Sequence, residues 1–481
     1  MCSFIFHLST QPIEDKSLLA ANQLLKSRGP DKTNIKRFKS KNLYVSTVHN
    51  LLDISGMTIE QPLVNEDEQL MLFNGEIYKP SDRKTPDTKV LFDQFEKGLL
   101  RSFLQNANGE YAIISIDLRH KRIEIYTDLI GTKPISFAFE NGCIGIASYK
   151  TALSAMGFKN VEEVSPNSIV KISFDNLENK VIDREKLHTL NLQQDQNNLE
   201  HWNKLFLESV KDRAGHFSSK VFVPLSSGYD SGAICCALNK LNIPYITVTI
   251  GDTENQDILK KRLEINREFS CIGNYSLPPI SWDEFKDLSS WLKNKIGIIY
   301  YSHLDSNDKE ARPKAIHEDS GSIGLLAICK KMKSEGYNSM LSGTGADEII
   351  SDYGHGGKKY YQHSEFGGLF PDQLEGFFPW RKFYGDSQRS YLAKDEIVAG
   401  LFGIEGRYPF LEKELIQSFL RLTPQLKNIR YKNCIASFLE NNNYPYEPDV
   451  KLGFVPQKTK FTIMQRIEYK VRRFLNLNQR F

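Results

Sequence analysis

The sequence lacks the features that mark several large classes of protein. Its seven cysteines are scattered and form no Cys-x-x-Cys pair, so we expect reduced thiols rather than a disulfide framework or a zinc site. It has no apolar run long enough to span a membrane as a helix. The first residues carry neither a basic region nor a long apolar stretch, so no signal peptide is predicted and a cytoplasmic location is expected. The net charge of +3 is too balanced to indicate a nucleic-acid-binding protein.

What the chain does have is length and apolar content. Its 481 residues exceed one ordinary core, and 40% hydrophobic residues are ample for globular packing. The polar, Gln- and Asn-rich stretch 190–200 is the predicted junction between a domain over 2–190 and another over 200–455. A basic tail follows over 456–481, which could touch a membrane or nucleic acid but is more simply a solvated helix or a frayed terminus.

The carboxy-terminal half is organised around the stretch from Val221 to Ser231. Its apolar, β-branched start predicts a buried strand of a parallel sheet, and a helical pattern resumes at Gly232. The small residues between them lie at a helix amino end, where free N–H groups and the helix dipole attract anions. Asp230 suits an anion site only if a divalent metal ion lies between it and the anion. The loop therefore predicts a nucleotide pyrophosphate with Mg²⁺, with a plain strand–turn–helix as the alternative.

A second Gly-rich turn, from Ser342 to Glu348, follows another predicted short strand at 338–341. Two such loops at adjacent strand ends could hold one nucleotide across a topological switch point. Asp230 and Asp347 are then candidate magnesium ligands, and Glu348 is a candidate general base for an attacking amine. The alternative is that the Asp-Glu pair is only a solvated first turn of a helix.

The amino-terminal half begins with a cysteine directly after the initiator Met. Removal of that Met would leave Cys2 with a free α-amine, whose pKa of about 7.7–8.0 lets it act as the base for its own thiol. A short strand over 70–73 is predicted to end at Asn74 and Gly75, whose amide and N–H are suitable oxyanion donors. The alternatives are a merely small second residue and an Asn-Gly hairpin turn.

Further patterns in this half predict an antiparallel-rich sandwich. The strands are expected at 3–8, 111–117, 122–127, 143–147 and 168–172, and the helices at 16–27 and 88–98. In the other half we expect a helix over 201–213, a strand over 245–250 beside the first one, and a helix over 323–332.

Taken together, these motifs resemble the glutamine-hydrolysing asparagine synthetases. In the amino-terminal half the resemblance lies in Cys2, the Arg-Gly-Pro-Asp block 28–31, and residues 61–63, 74–78, 128–134 and 147–148. In the carboxy-terminal half it lies in residues 226–231, 342–348 and 403–412, Lys432, and residues 451–454. The motifs cover roughly residues 2 to 454 in the order that the family has them.

The resemblance implies a fold and two sites. The fold would be an α+β Ntn-hydrolase-like αββα sandwich, followed by an α/β doubly wound parallel-sheet ATP pyrophosphatase domain. Cys2 would attack the carboxamide of glutamine, with Asn74 and Gly75 stabilising the oxyanion. Glu76 and Asp87 would bind the α-amine side of glutamine. The expected ATP-binding residues are Leu225, Ser226, Ser227, Gly228, Asp230, Ser231, Ile250, Ser342, Gly343 and Lys432, with Mg²⁺ on Asp230 and Asp347.

The sequence departs from the family at several positions. Asn50 stands where the family has an Arg that pairs with the glutamine α-carboxylate. Either Arg28 or His49 supplies the charge, or glutamine binds weakly, or the nitrogen donor differs; Arg28 and Asn50 are both included among the expected glutamine-binding residues. The remaining substitutions are Thr344 for Glu in the second loop, Glu412 for Asp and Ala436 for Arg. Residues 352–378 match no motif and are predicted to form a mobile loop near the acceptor pocket.

The implied activity is adenylation of a carboxylate with ATP, followed by amidation with ammonia that reaches it from glutamine through a dry passage. Aspartate is the expected acceptor, with a sugar acid or a natural-product precursor as the alternative. An RNA-modifying ATP pyrophosphatase is a hypothesis from another class, supported only by the basic tail. A catalytically silent homologue is opposed by the intact Cys2, Asn74, Asp230 and Asp347. The expected partners are glutamine, ATP and the acceptor, with no nucleic acid; a homodimer is left open.

Overall fold

The structure is a computed structural model, and it describes residues 2–54, 56, 59–80, 84–175, 180–215, 220–251, 254–304, 311–361, 363–451, 453–454, 456 and 471. The predicted basic tail lies outside the described residues, apart from 456 and 471. Among the helices described, none combines the length and hydropathy that crossing a bilayer requires.

The amino-terminal half is rich in strands. They are β1 (Ser3–Ser9), β2 (Lys32–Ser40), β3 (Leu43–Leu51), β4 (Leu63–Val64), β5 (Gln69–Lys79), β6 (Asn108–Asp117), β7 (Arg122–Thr127), β8 (Ser136–Glu140), β9 (Cys143–Ala147), β10 (Glu162–Glu163), β11 (Ser168–Ser173) and β12 (Lys180–Lys186). The helices are α1 (Asp15–Gln23), α2 (Asp87–Glu96), α3 (Leu100–Asn106) and α4 (Lys150–Ala155), with a 3-10 turn at Lys26–Arg28.

These strands form two six-stranded antiparallel sheets, ordered β10-β8-β9-β1-β3-β2 and β12-β11-β7-β6-β5-β4. Because side chains alternate along a strand, Phe4 and Phe6 of β1 pack against Leu72 of the other sheet, whereas Ile5 packs on the opposite face beside Leu18 of α1. Helices α1 and α4 cover the outer face of the first sheet, and α2 and α3 cover that of the second. The layers are therefore helix, sheet, sheet and helix, and the strands predicted here are present.

The prediction of a short strand ending at Asn74 is wrong. Strand β5 continues through Asn74 and Gly75, which pair with Ala112 and Tyr111 of β6. Gly75 is required because β6 passes so close: a Cβ atom there would lie 2.0 Å from the carbonyl oxygen of Glu110, and its φ is +145°. An Asn-Gly pair favours a hairpin turn locally, but the pairing of a long strand overrides that preference.

The carboxy-terminal half alternates helices with strands. Its strands are β13 (Val221–Pro224), β14 (Tyr245–Ile250), β15 (Cys271–Leu277), β16 (Tyr300–Leu304), β17 (Ala311–Ala315), β18 (Ser339–Leu341), β19 (Gly354–His355), β20 (Lys358–Lys359) and β21 (Glu405–Arg407). Its helices are α5 (Glu200–Ala214), α6 (Tyr229–Leu241), α7 (Gln256–Glu268), α8 (Trp282–Ile296), α9 (Ser320–Ser334), α10 (Ala346–Ile350), α11 (Arg381–Tyr384), α12 (Asp386–Gly400), α13 (Lys413–Arg421), α14 (Pro424–Lys427) and α15 (Asn433–Asn441). Two further 3-10 turns lie at Ile316–Glu318 and Pro409–Leu411.

Five of these strands form a parallel sheet in the order β15-β14-β13-β18-β21. The chain moves outward from β13 to β14 and β15, then returns to β18 on the other side of β13. The strand order therefore reverses between β13 and β18, which is the topological switch point of such a sheet. Helices cover both faces: Val221 and Val223 pack with α5 and α6, whereas Phe222 packs with α9. The molecule is thus a mixed α/β protein with a parallel sheet.

Residues 352–378, predicted to be a mobile loop, are instead folded around a buried charge. The carboxylate of Asp352 accepts the N–H groups of Glu365 and Phe366, both at 2.7 Å. It also pairs with Lys382 at 2.9 Å, and neither side chain of this pair is exposed to solvent. Since an unpaired buried charge is very costly, this pairing holds the segment in one arrangement.

A buried ion network joins the two halves of the chain. Glu396 of α12 pairs with Arg28 at 2.6 Å and with Lys133 at 3.0 Å, and all three side chains are 1% exposed. Glu110 of β6 pairs with Arg213 of α5 at 2.7 Å. Each of these charges loses its water on folding, so each depends on its partner across the interface. The network therefore determines how the two halves meet.

Replacing Glu396 by Gln is expected to lower the free energy of unfolding by about 3–5 kcal/mol, because Arg28 is left buried without its carboxylate. Urea denaturation of the full chain measures this. The matched control is Glu60→Gln, which breaks an ion pair with Lys32 whose side chains are 47% and 51% exposed, and which should change stability little. Equal effects of the two variants would contradict the prediction.

Candidate active sites

The two Gly-rich loops meet at the switch point of the parallel sheet. The first leads from β13 into α6, and the second leads from β18 into α10. A Cβ atom on Gly343 would lie 2.8 Å from the Cβ of Asp230, so the close approach of the loops requires glycine there. A cavity of about 450 Å³ opens beside them. The predicted ATP-binding residues that line it are Leu225, Ser226, Gly228, Asp230, Ser231, Ile250, Ser342, Gly343 and Lys432.

Arg262 of α7 binds the backbone of the first loop. Its guanidinium donates to the carbonyl oxygens of Ser226 and Gly228, at 2.7 and 2.8 Å. Because the C=O and N–H of a trans peptide point in opposite directions, the N–H groups of the next residues, Ser227 and Tyr229, face away from Arg262. The loop therefore presents N–H donors at the amino end of α6, as an anion site requires.

Ser227 is the one predicted ATP-binding residue that does not line the cavity. Its N–H and its hydroxyl both donate to the carboxylate of Glu254, at 2.7 and 2.5 Å. Glu254 itself lines the cavity. The Glu254 carboxylate oxygen thus lies where a phosphate oxygen could accept hydrogen bonds from the same loop donors.

The two aspartates predicted as magnesium ligands are brought together. The ammonium of Lys432 lies 2.6 Å from Asp230 and 2.7 Å from Asp347, and Lys451 also binds Asp347. Two carboxylates that bracket one cation offer the hard oxygen ligands that Mg²⁺ prefers. Among the described residues no cluster of three or more such side chains forms a metal site. An ion there would take its other ligands from phosphate and water, as Mg²⁺ commonly does.

The neighbouring acids differ in protonation. Burial raises the pKa of a carboxyl group, but Lys432 and Lys451 hold the pKa of Asp347 well below its ordinary value. Burial and the adjacent charge of Asp347 raise the pKa of Glu348 to about 7, although the Tyr353 hydroxyl, which donates to it, lowers it. Glu348 lines the same cavity.

Part of the cavity lining is aromatic. Tyr353, Tyr361 and His363 line it, and the ring centroids of Tyr353 and His363 are 4.3 Å apart. All three come from the segment that the sequence predicted to lie near an acceptor pocket. Lys394 of α12 also lines the cavity and pairs with Asp319 at 3.1 Å.

Cys2 lies just before β1 and is partly buried. Burial raises the pKa of its thiol, a backbone hydrogen bond at Leu52 lowers it, and the carboxylates of Glu405 and Glu76 raise it. Glu76 belongs to β5 and Glu405 to β21, so Cys2 lies between the two halves of the chain. A thiol in these surroundings needs a base to become a nucleophile.

Asn74 is fully buried, and neither its amide oxygen nor its amide nitrogen has a hydrogen-bond partner in the described structure. Buried amides are normally satisfied, so this one is available to a ligand. Asp87 begins α2 and accepts the N–H groups of Ile77 and Thr88, at 3.1 and 2.7 Å. Burial and the charge of Glu76 raise the pKa of Asp87 well above its ordinary value.

A family model described as a glutamine amidotransferase domain matches residues 1–191. Asparagine synthetase B of Escherichia coli, which is named glutamine-hydrolysing, is 23% identical over 478 residues, covering 89% of this chain and 76% of that protein. A provisionally named glutamine-hydrolysing asparagine synthetase of Methanocaldococcus jannaschii is 25% identical over 450 residues, covering 86% of this chain and 74% of that protein. These comparisons support the resemblance to the glutamine-hydrolysing asparagine synthetase family over most of the chain.

A solved structure of the allosteric regulatory enzyme of purine biosynthesis shares 14% identity, with a TM-score of 0.32. The match covers 58% of this chain and 81% of the chain in that structure. That likeness is too weak to bear on the fold.

Asn50, which stands where the synthetase family has an Arg, takes part in an internal hydrogen-bond network. Its amide nitrogen donates to Ser3 at 3.0 Å and to Asn22 at 2.8 Å, and its oxygen accepts from Thr33 at 2.9 Å. Both amide hydrogens are therefore used inside the protein, between β1 and β3. The glutamine-binding role expected of Asn50 is not supported, because no donor is left for a ligand.

Arg28 and His49 were considered as substitutes for the missing Arg. Neither side chain is available as a cation for a glutamine carboxylate. Arg28 donates to the carbonyl oxygen of Cys2 at 3.1 Å, to Tyr149 at 2.7 Å and to Glu396 at 2.6 Å, so its guanidinium is used between the two halves. Burial lowers the pKa of His49 to about 3, which leaves this imidazole neutral. Of the explanations for Asn50, the structure thus disfavours a charge supplied by Arg28 or by His49.

Some residues of the cavity were not among the predicted site residues. Lys451 had a signal, since it begins the family's closing Lys-x-Gly-Phe motif. Glu254, Lys394 and Asp395 had none: they follow β14 or lie in α12, far along the chain from the residues that they contact. Only the sheet order brings them to the switch point.

Asn50→Ala is expected to lower the free energy of unfolding by about 1–3 kcal/mol, because buried partners of its amide lose their hydrogen bonds. Urea denaturation measures this. Asn106→Ala, at an exposed helix end, is the control and should change little. A weaker affinity for glutamine without loss of stability would instead show that Asn50 binds the substrate.

Proposed function

We propose that the protein is an ATP-dependent amide ligase that takes its nitrogen from glutamine, with aspartate as acceptor and asparagine as product. One observation carries the proposal. A partly buried cysteine at the start of β1 and a pair of aspartates bracketing one ammonium between two Gly-rich loops occur in the same chain. The names of the synthetase relatives support the same activity.

The proposed domains follow from these sites. Residues 2–190 would form an Ntn-hydrolase-like glutaminase, and residues 200–455 an ATP-pyrophosphatase-type synthetase. The four observed layers of the first half and the switch-point loops of the second support this division. Small molecules are the proposed partners, in a cytoplasmic enzyme.

In the glutaminase site, the α-amine of Cys2 would act as the base once Met1 is removed. The thiolate attacks the carboxamide carbon, a C–S bond forms, and the C–N bond breaks as the departing nitrogen takes a proton. Water then hydrolyses the thioester to glutamate. The unpartnered amide of Asn74 and the N–H of Gly75 would stabilise the oxyanion, and Glu76 and Asp87 would hold the substrate ammonium.

In the synthetase site, the N–H groups of the first loop would hold the phosphates of ATP. Mg²⁺ on Asp230 and Asp347 would neutralise phosphate charge. Lys432 and Lys451, which pair with these aspartates, would turn toward the phosphates. An oxygen of the acceptor carboxylate attacks the α-phosphorus, and pyrophosphate leaves. Ammonia then displaces AMP from the acyl-adenylate.

The two proposed sites share one helix, α12. Glu396 of this helix binds Arg28, whose Nε donates to the carbonyl oxygen of Cys2. The preceding residue, Asp395, binds Ser342 and Thr344 of the second loop, both at 2.8 Å. A shared helix of this kind would couple the positions of the two proposed sites.

A larger carboxylic acid is the second candidate acceptor. The observation that favours it is the aromatic part of the cavity lining, which Tyr353, Tyr361 and His363 form. Aromatic rings offer contact area to a large acid, whereas aspartate has little apolar surface to bury.

The test is pyrophosphate release from ATP with a panel of carboxylates that includes aspartate, each with glutamine or with ammonium chloride. Release that depends on aspartate, with new asparagine, is the expected result. Release with another acid alone would replace the acceptor but keep the mechanism. Release with none would overturn the proposed function.

Cys2→Ala is expected to reduce glutamine-dependent amide formation to background while ammonium-dependent formation stays near that of the wild type. The reason is that only the glutamine route needs the thiol. Cys143→Ala, which removes another partly buried thiol, is the matched control and should leave both routes unchanged. Persistence of glutamine-dependent activity in Cys2→Ala would exclude Cys2 as the nucleophile.

A further inference from the structure

The second Gly-rich loop lacks a carboxylate at its third position. Thr344 stands there, where the synthetase family has Glu. A hydroxyl cannot accept a proton near neutral pH as a carboxylate can, so the loop alone is chemically poorer at this point.

A carboxylate from another element lies against this position. Asp395 of α12 accepts the hydroxyl of Thr344 at 2.8 Å and that of Ser342 at 2.8 Å, and both bonds end on its Oδ2 atom. The Thr344 hydroxyl is also within 3.0 Å of the Ser342 hydroxyl, so the three groups form a closed triangle. Asp395 lines the cavity between the loops.

We propose that Asp395 supplies the carboxylate that the second loop lacks, and that it accepts a proton from the nitrogen nucleophile as the amide forms. This rests on the proposed function. Ammonia attacks the acyl carbon of the adenylate, a C–N bond forms, and the C–O bond to the AMP phosphate breaks. One proton passes from nitrogen to Asp395, and AMP leaves with the electron pair of the broken bond.

Three other acids of the cavity are paired with lysines, and Glu254 accepts the N–H and the hydroxyl of Ser227 in the first loop, away from Thr344. Asp230 and Asp347 share Lys432, and Asp319 pairs with both Lys314 and Lys394. No ion pair to Asp395 forms within the described structure, and its Oδ1 accepts no hydrogen bond from a described residue.

Glu348, the base expected from the sequence, is less well placed than Asp395. It is 2% exposed, and its carboxylate accepts the hydroxyl of Tyr353. Asp395 is only half-buried and is bound by neutral hydroxyls on one oxygen alone. A base must reach the proton that it removes, so the open oxygen of Asp395 is the better acceptor.

The electrostatics of Asp395 agree with this role. Burial raises its pKa to about 6, and the neighbouring Glu396 also raises it, while Ser342, Thr344 and Lys394 lower it. The carboxylate is therefore ionised at neutral pH and not far from the pKa that suits a general base.

The experiment uses the full-length enzyme with ammonium chloride and the acceptor that the panel identifies. Two rates are measured: amide formation, and acceptor-dependent exchange of pyrophosphate into ATP without ammonium. For Asp395→Asn, which keeps an oxygen for the hydroxyls but not the charge, we expect amide formation to fall by about 10²–10⁴-fold. Exchange, which precedes the attack of nitrogen, should change little.

A second pair of variants tests relocation of the carboxylate directly. Asp395→Ser removes the acid, and Thr344→Glu in that background returns one to the position where the family has it. We expect the double variant T344E/D395S to form amide at least about tenfold faster than D395S. A merely structural role of Asp395 would not be rescued in this way.

Three results would overturn the proposal. Asp395→Asn forming amide at the wild-type rate would show that the charge is not needed. Equal losses of amide formation and exchange, without rescue by Thr344→Glu, would show that Asp395 only holds the loop. A wild-type enzyme that forms no amide from any acid would overturn the proposed function as well, and it is distinguished because the loss is not confined to the variants.

Discussion

The arrangement of the two halves depends on buried charges that can be neutralised only across their interface. Glu396 meets Arg28 and Lys133, while Glu110 meets Arg213. Two apolar surfaces can pack together in several relative positions. A desolvated ion fixes one position, because losing its partner costs several kcal/mol. This network therefore specifies one relative position for the halves. The cost is that charges of this kind contribute less net stability than well-packed apolar residues would.

Helix α12 transmits that constraint to both candidate sites. Successive residues of a helix point about 100° apart, so Asp395 and Glu396 face different surroundings. Glu396 reaches the Arg28 that holds the Cys2 carbonyl, and Asp395 reaches the second Gly-rich loop. The first loop is positioned separately by Arg262, beneath the carbonyl oxygens of Ser226 and Gly228. Each candidate site is thus positioned by side chains from distant parts of the chain.

Local sequence patterns predicted the strands and loops correctly where a buried face or the end of a strand gave a signal within a few residues. The strand from Val221, its neighbour from Tyr245 and the loop from Ser342 all carry signals within a few residues, and the sheet places them side by side. The same reasoning was wrong at Asn74, where a turn preference yields to strand pairing. For residues 352–378, composition does not show that Asp352 pairs with Lys382.

The sequence by itself determined the alternation of strands and helices, the two Gly-rich loops and the resemblance to the synthetase family, because those properties depend on short contiguous motifs. The tertiary structure alone decided that Arg28 serves the interface, that Asn50 is held in an internal network, and that Asp395 meets Thr344. Each of those contacts joins residues tens to hundreds of positions apart. A hydrogen bond over such a separation exists only when the sheet order and the packing of both halves bring its atoms together.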